Sequence, residues 1–384
     1  MFEYRVPGVY RQEVTQRIRP ALPTGVPGFV GFADARSEDA AANSPVLLHR
    51  QADFDARFIG GADGYLADAV AGFFSNGGVR CYVVRADPNV EPERALVDAM
   101  ESLGPFDDID LVAVPDAMTL PRRYDEGVEM LDDGITRVQR AMLSHCAAHR
   151  GRFAILDARS GIIASKAIDQ RSALVRGMEE PVNGALYYPW LKLNGGRLAP
   201  PSGHVAGIYA RTDASAGYFK APANEEVHGV VDLEVPIGNT EQDKLNPGGV
   251  NCLRAFPGRG IRVWGARTIS RDPNWRYVNV RRLFLTLGRW IDLNMAWVSF
   301  EPNTSMLWVR ITRELTGFLD GLWRAGALAG KTREEAYYVK CDSEANPSEV
   351  REAGQAITEV GLAPGSPGEF VVVRIVHHTA AEPR

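Results

Sequence analysis

The sequence predicts an α/β (α+β) protein: a mixed-sheet outer domain followed by a C-terminal α/β domain, with an extended strand-forming arm at each end. Three observations lead there. From about Gly28 to Glu234, short β-branched runs alternate with helical periods, as in a parallel or mixed sheet flanked by helices. Beyond about Pro236 the texture changes to turn-rich segments and one strongly amphipathic helix. Both ends carry strand formers set off by Pro and Gly. The expected division is an arm over 1–20, a mixed α/β domain over 21–240, a C-terminal domain over 241–365 and a second arm over 366–384.

In chain order, Tyr4-Arg5-Val6 leads through Pro7-Gly8 into Val9–Val14, which alternates as a short strand. The first compact element is a strand over Gly28–Phe32. A helix over Tyr65–Phe74 ends at Asn76-Gly77-Gly78, where glycine supplies a left-handed cap, and a strand over Arg80–Arg85 follows. Next come a strand Ile109–Val114, a long helix around Val128–Arg150, a strand Phe153–Leu156, a helix near Lys166–Met178 and a strand Gly184–Leu193.

In the second half, loop and turn precede a strand Ile261–Ala266, a helix Val278–Met295 and a strand Ala296–Phe300. Pro302-Asn303-Thr304 opens the amphipathic helix. Trp308, Ile311, Leu315, Phe318, Leu319 and Leu322 form its apolar face, and Arg310, Arg313, Glu314, Asp320 and Arg324 its charged one. Thr332–Glu335 reads as a capping box before a strand Ala336–Cys341. Asn346-Pro347 starts a short helix that Gly354 ends, and the strands Ala356–Leu362 and Phe370–Val376 close the chain.

The 384 residues suffice for two or more domains. A formal net charge of -5 excludes a general nucleic-acid binder, which carries a basic stripe. The opening residues lack a signal pattern and no apolar run is long enough to cross a bilayer, so the expectation is a chain made and assembled in a cytoplasm without membrane insertion. Cys81, Cys146, Cys252 and Cys341 are widely spaced, with no zinc or disulfide framework. Nearly all basic residues are arginine, which suits interface ion pairs and equally reflects arginine-rich codon use.

The search for chemistry returns no catalytic constellation, cofactor fingerprint or metal site. His145 and His149 stand at i, i+4 without a glutamate between them and read as a solvated pair. Asn246-Pro247-Gly248-Gly249 and Pro257-Gly258-Arg259-Gly260 match no phosphate-binding pattern and read as turns. Gly60-Gly61-Ala62-Asp63-Gly64 is equally unspecific. Ser202-Gly203-His204 has no triad spacing, Asp107, Asp108 and Asp110 read as a solvated turn, and His377-His378 as a solvated tail.

Strands at both ends suit β-augmentation, in which an extended segment joins the sheet edge of another molecule. Such head-to-tail contacts build rings or helical filaments. Several stretches then carry a specific resemblance: Pro200–Asp213 with Ala221-Pro222-Ala223, Leu245–Asn251, Phe256–Gly260, Val263–Thr268, Trp275–Leu283, Phe300–Asn303, Glu369–Ile375 and the opening Pro7-Gly8-Val9-Tyr10. Together they resemble contractile tail sheath proteins of bacteriophages and related injection particles. About Asp87 to Leu198 matches only in its α/β texture.

The resemblance implies a structural subunit, not an enzyme, that stacks as hexameric rings around an inner tube and contracts to drive the tube through a target envelope. Implied partners are other copies, the inner tube protein, and baseplate and terminator or cap proteins. The setting is the bacterial cytoplasm for assembly, then a phage tail or tail-like particle. The exchanged strands would carry Val9, Tyr10, Glu13 and Val14 at one end and Phe370, Val371, Val372, Val373, Arg374 and Ile375 at the other, with an acceptor edge near Ala356–Leu362. Tube-facing candidates are Arg310, Arg313, Glu314, Asp320, Arg324, Glu349, Arg351 and Glu352. A second reading is an α/β nucleotide-binding protein or enzyme using the Gly-rich loops.

Overall fold

Buried β-branched and aromatic runs build the central layer. The computed structural model describes residues 22–379 apart from 62, 127, 150, 366 and 367, so Val9, Tyr10, Glu13 and Val14 lie outside the described residues. Nine strands form one sheet: β1 (Pro27–Gly31), β2 (Val46–Leu48), β3 (Cys81–Arg85), β4 (Leu111–Ala113), β5 (Phe153–Asp157), β6 (Gly184–Tyr188), β7 (Glu225–Glu226), β8 (Val250–Phe256) and β9 (Gly260–Val263). Their spatial order is β7-β9-β8-β6-β5-β4-β1-β3-β2. The six inner strands, β8 to β3 in that order, run parallel, and β2, β9 and β7 pair antiparallel at the margins.

Helices cover both faces, because a sheet buried on both sides must hide two apolar surfaces. Helices α1 (Leu66–Ser75), α2 (Pro92–Glu101), α3 (Gly134–Ala148), α4 (Ala164–Val175) and α5 (Ser202–Ala216) do this work. Leu96, Met142 and Leu174 of α2, α3 and α4 sit in one core. Phe73 and Tyr209 of α1 and α5 sit in the other. The crossing of α1 with α5 is unusually close: a Cβ at Gly203 would lie 2.3 Å from the Ala69 Cα, and one at Gly207 2.4 Å from the Phe73 carbonyl oxygen. The signature stretch around Gly203 and Gly207 is thus a helix contact that admits only glycine.

A third core belongs to α6 (Val278–Asn294), α7 (Ser305–Arg324) and a three-stranded antiparallel sheet of β10 (Tyr337–Lys340), β11 (Gln355–Leu362) and β12 (Val371–His378). Ile311, Leu315 and Leu319 of α7 are fully buried there, each contributing about 1.5–3 kcal/mol of transfer free energy, and Trp290 of α6 stacks on Phe318 with centroids 4.2 Å apart. No helix among the described residues is long and apolar enough to cross a membrane.

Several expectations change. Strands β8 and β9, expected in the C-terminal domain, complete the large sheet, and the third core begins at Trp275 rather than at 241. The helix expected from Val128 starts at Gly134, because Arg123–Asp125 and Val128–Met130 form a hairpin before it. The expected strand Gly184–Leu193 stops at Tyr188, before a proline that cannot donate to a ladder, and Leu191–Leu193 joins a separate small sheet. Ala296–Phe300 is a 3-10 helix. Thr332 makes no side-chain cap, since Glu335 accepts from the Lys331 amide at 2.7 Å instead.

The two parts are joined by buried charge. Arg282 of α6 donates to both carboxylate oxygens of Asp213 on α5 and, at 3.0 Å, to Asp110 just before β4. All three side chains are at most 5% exposed. Asp110 also accepts from the amides of Gly25 at 3.1 Å and Val26 at 2.7 Å. About two turns along α6, Arg289 donates to the carbonyls of Pro23 at 2.9 Å and Asp107 at 3.0 Å. Asp110 is therefore the anchor of an interdomain network, correcting its reading as part of a solvated turn.

Arg282→Met leaves two buried carboxylates facing each other without a cation. Its expected cost is about 3–5 kcal/mol, read as a lowered urea midpoint at unchanged secondary structure.

Candidate assembly interface

Strand β12 is held along its inner edge only. Its ladder with β11 runs from Gln355↔His378 to Leu362↔Val371, while its outer edge has no partner among the described residues. Side chains alternate as a half-buried strand requires: Val371, Val373 and Ile375 pack on the third core, and Val372 and Val376 are 45% and 47% exposed. His377 is buried within the strand, where desolvation lowers its pKa to about 4. The solvated-tail reading of His377 is thereby corrected. A long, apolar, open edge is an invitation to pair with another chain.

The other partners of β11 are all taken. Strand β10 covers Glu359–Leu362. Asn346 covers the remainder, its carboxamide accepting from the Ile357 amide at 2.6 Å and donating to the Ile357 carbonyl at 2.9 Å. Asn303 donates to the Gln355 carbonyl at 2.6 Å and accepts from the Trp308 indole at 2.7 Å, tying the start of α7 to the start of β11. The expected acceptor edge at Ala356–Leu362 is thus filled from within this chain while β12 stays in place. Sequence reading placed both asparagines at helix starts, each next to a Pro, but missed that their carboxamides bind the edge of β11.

The tube-facing candidates do not form one patch. Arg310 pairs with Glu301 at 2.9 Å and lies over the Trp297 ring at 3.6 Å. With Arg313 it lines a groove of about 320 Å³ with Pro302, Met306 and Val309. The other end of α7 holds a separate cluster: Asp320 accepts from Arg324 at 2.8 Å, Arg333 at 2.7 Å and the Tyr337 hydroxyl at 3.1 Å. The Arg333 hydrogen bond holds its carboxyl below the ordinary range. Glu314 lies on α7 between the two, and Glu349, Arg351 and Glu352 are exposed on the short helix Ser348–Glu352 that packs by β11.

In an open doubly wound sheet, ligands bind where strand order reverses, at the carboxyl ends of the strands. Here that point lies between β1 and β4, and it is filled. Asp116, just past β4, places its carboxylate at the N-terminus of α1, accepting from the amides of Phe32 at 2.6 Å and of Tyr65 and Leu66. A Cβ at Gly64 would lie 3.3 Å from this carboxylate. Asp157 at the end of β5 does the same for α5, accepting from the Ser202 amide at 2.8 Å. The positions where a helix N-terminus would hold a phosphate hold the chain's own carboxylates.

The His145 and His149 pair is likewise structural. His145 is buried, not solvated as expected, and Arg152 donates to its Nε2 at 2.6 Å. That donation fixes the ring proton on Nδ1, which faces Glu101 at 3.4 Å. A cation among Glu101, His145 and His149 would displace this proton next to a buried guanidinium.

A doubly wound sheet with its ligand crevice closed, carrying a second domain that ends in an open edge strand, defines a protein built for assembly. The comparisons identify its family. Residues 129–269 match the phage tail sheath protein central domain and residues 270–377 the phage tail sheath C-terminal domain. The chain belongs to the phage tail sheath protein family. It is 32% identical to a chain of the anti-feeding prophage baseplate, covering 97% of this chain and 99% of that one with a TM-score of 0.73. The contracted sheath of the extracellular contractile injection system PVC gives 28% identity, 98% coverage of each chain and a TM-score of 0.72. A putative prophage major tail sheath protein of Pseudomonas aeruginosa is 30% identical over 142 residues, 35% of this chain. The matches span 36% of that relative's length and 29% of the tail sheath protein of Vibrio phage KVP40.

The filled crevice has a pH signature. Burial pushes Asp116 up to about 6 and Asp157 up to about 7, from 3.8 in an unfolded chain. Because the folded state binds these protons more tightly, their stabilising contribution is complete below about pH 4 and is lost as pH rises through 6 to 7. Asp157→Asn removes one such group. Subtracting its unfolding free energy from that of wild type should give a difference that falls by up to ~1.4 kcal/mol per pH unit between those limits; a flat difference contradicts the assignment.

Proposed function

We propose that this chain is the structural subunit of a contractile sheath, stacked in hexameric rings around an inner tube, whose contraction drives that tube through a target envelope. Its partners are then further copies of itself, the inner tube protein, and baseplate and terminator or cap proteins. It performs no catalysis; contraction draws on energy stored when the subunits assemble. Assembly takes place in the bacterial cytoplasm, and the finished particle acts outside it.

One observation carries this reading: an apolar strand, β12, held by a single ladder at the margin of a small sheet. In the single chain, β12 closes on its own β11. In the sheath, the same ladder is made with the corresponding strand of a neighbour, and the first arm, 1–20, adds to the open edge. Exchange of an identical element between copies preserves every contact, so it costs little beyond strand release. The linker 363–370 contains Pro364, Gly365, Pro367 and Gly368, a composition that leaves the strand free to swing while each subunit moves as a rigid body.

Rigid-body movement needs domains that do not come apart, and the Arg282 network supplies that. Tube contact falls to the charged residues on α7 and on Ser348–Glu352, with the groove beside Arg310 and Arg313 as the leading surface.

Deletion of 369–384 tests the strand. The truncated chain should keep its nine-stranded domain by circular dichroism and yield no striated tubes by negative-stain microscopy where the full chain yields them. Tubes from the truncated chain contradict strand exchange.

A further inference from the structure

The Asn246–Gly249 turn, set aside above as simple turn chemistry, has a second property. It forms one wall of a cavity of about 440 Å³ whose lining includes Arg171, Arg267, Arg271 and Arg276, together with Pro247, Gly249, Thr268 and Ser270. Four guanidinium-bearing side chains come from two distant parts of the chain, α4 and the loop between β9 and α6. No carboxylate lines the cavity among the described residues. In a chain whose net charge is -5, this is a concentrated positive site.

The arginines are also under-committed. Only Arg271 forms an ion pair, with Glu180 at 3.1 Å; the same carboxylate accepts from the Ser270 hydroxyl and acts on Arg171 at longer range. Arg171 donates through Nη2 to the Ser270 carbonyl at 3.0 Å, but its Nε is buried without a hydrogen-bond partner. Among the described residues, neither Arg267 nor Arg276 forms a side-chain ion pair. A buried donor left unpaired costs about 1–3 kcal/mol, so a ligand that accepts from it is favoured. Gly249 packs against this side chain: it has φ +74°, and a Cβ there would lie 3.1 Å from Arg171 Nε, so glycine leaves room for the guanidinium at the cavity.

We propose that this cavity is an oxyanion-binding site, with Arg171 at its floor and Arg267 and Arg276 closing on the ligand. Planar guanidinium forks match the geometry of phosphate and carboxylate oxygens and bind them through paired, charge-assisted hydrogen bonds. The site exists in the single subunit. Free phosphate and a carboxylate from an adjacent copy offer the same acceptor chemistry.

The test compares thermal unfolding of the full chain in sodium phosphate and in sodium chloride of equal ionic strength, for wild type, Arg171→Gln and Arg276→Gln. Phosphate at roughly ten times its Kd should raise the wild-type Tm by about 2 °C over chloride, and each variant should lose most of that gain. Equal midpoints in the two salts overturn the proposal, as does a gain that both variants retain. Assembled tubes then separate the sources. Phosphate weakens wild-type tubes but not Arg171→Gln tubes if a neighbour's carboxylate occupies the site, and strengthens wild-type tubes alone if the free anion does. An equal response of both tubes counts against the site.

Discussion

A single buried guanidinium holds the two halves of this molecule in register. Arg282 projects from α6 into the seam between the large sheet and the smaller domain, where Asp213 and Asp110 meet it from α5 and from the approach to β4. Burial disfavours its charge, but the two carboxylates reverse that and raise its pKa further. Such a cluster is costly to assemble and costlier to break, because each member would be left as an uncompensated charge. Asp110 simultaneously fixes the backbone at Gly25 and Val26. The backbone just before β1 is therefore part of the same network that joins the domains.

The closed crevice follows a related principle. A doubly wound sheet presents helix N-termini at the carboxyl ends of its strands, and these attract anions. Asp116 and Asp157 satisfy them internally, so the site that elsewhere binds nucleotides is spent here on joining α1 and α5 to the sheet. With that surface inward-looking, surfaces available for interaction include the outer edge of β12, the apolar approach to α7 with Phe300 84% and Met306 78% exposed, and the arginine cavity.

How much of this was legible in the sequence depended on range. The apolar face of α7 repeats every three to four residues and was readable directly, with Ile311, Leu315 and Leu319 buried as that period requires. The turn at Pro257–Gly260 was readable too, since Gly258 and Gly260 adopt φ +71° and +73° at the β8–β9 hairpin. Arg282 meets Asp110 across 172 positions, and nothing local distinguishes Asp110 from exposed Asp107 and half-buried Asp108. Asp116 and His145 were opaque for the same reason. Their burial is decided by which helix lands on them, so polar residues near turns defaulted to solvent. Of the strand arms, β12 was visible as a β-branched run, and the resemblance put its acceptor edge near Ala356–Leu362, the strand it pairs with here; that the ladder closes within one chain was not legible, because alternation states that a strand has an edge without saying which copy supplies the partner.

Sheath assembly by strand exchange requires β12 to leave its own sheet for a neighbour's, and a reversible lock tests this most directly. Ile357 and Val376 face each other across the β11–β12 ladder, and the four native cysteines are buried, so Ile357→Cys with Val376→Cys can be oxidised selectively. The oxidised subunit should be folded and unable to form sheath tubes, and reduction should restore them. Tubes formed equally well by the oxidised, locked subunit would contradict strand exchange and with it the proposed mode of assembly.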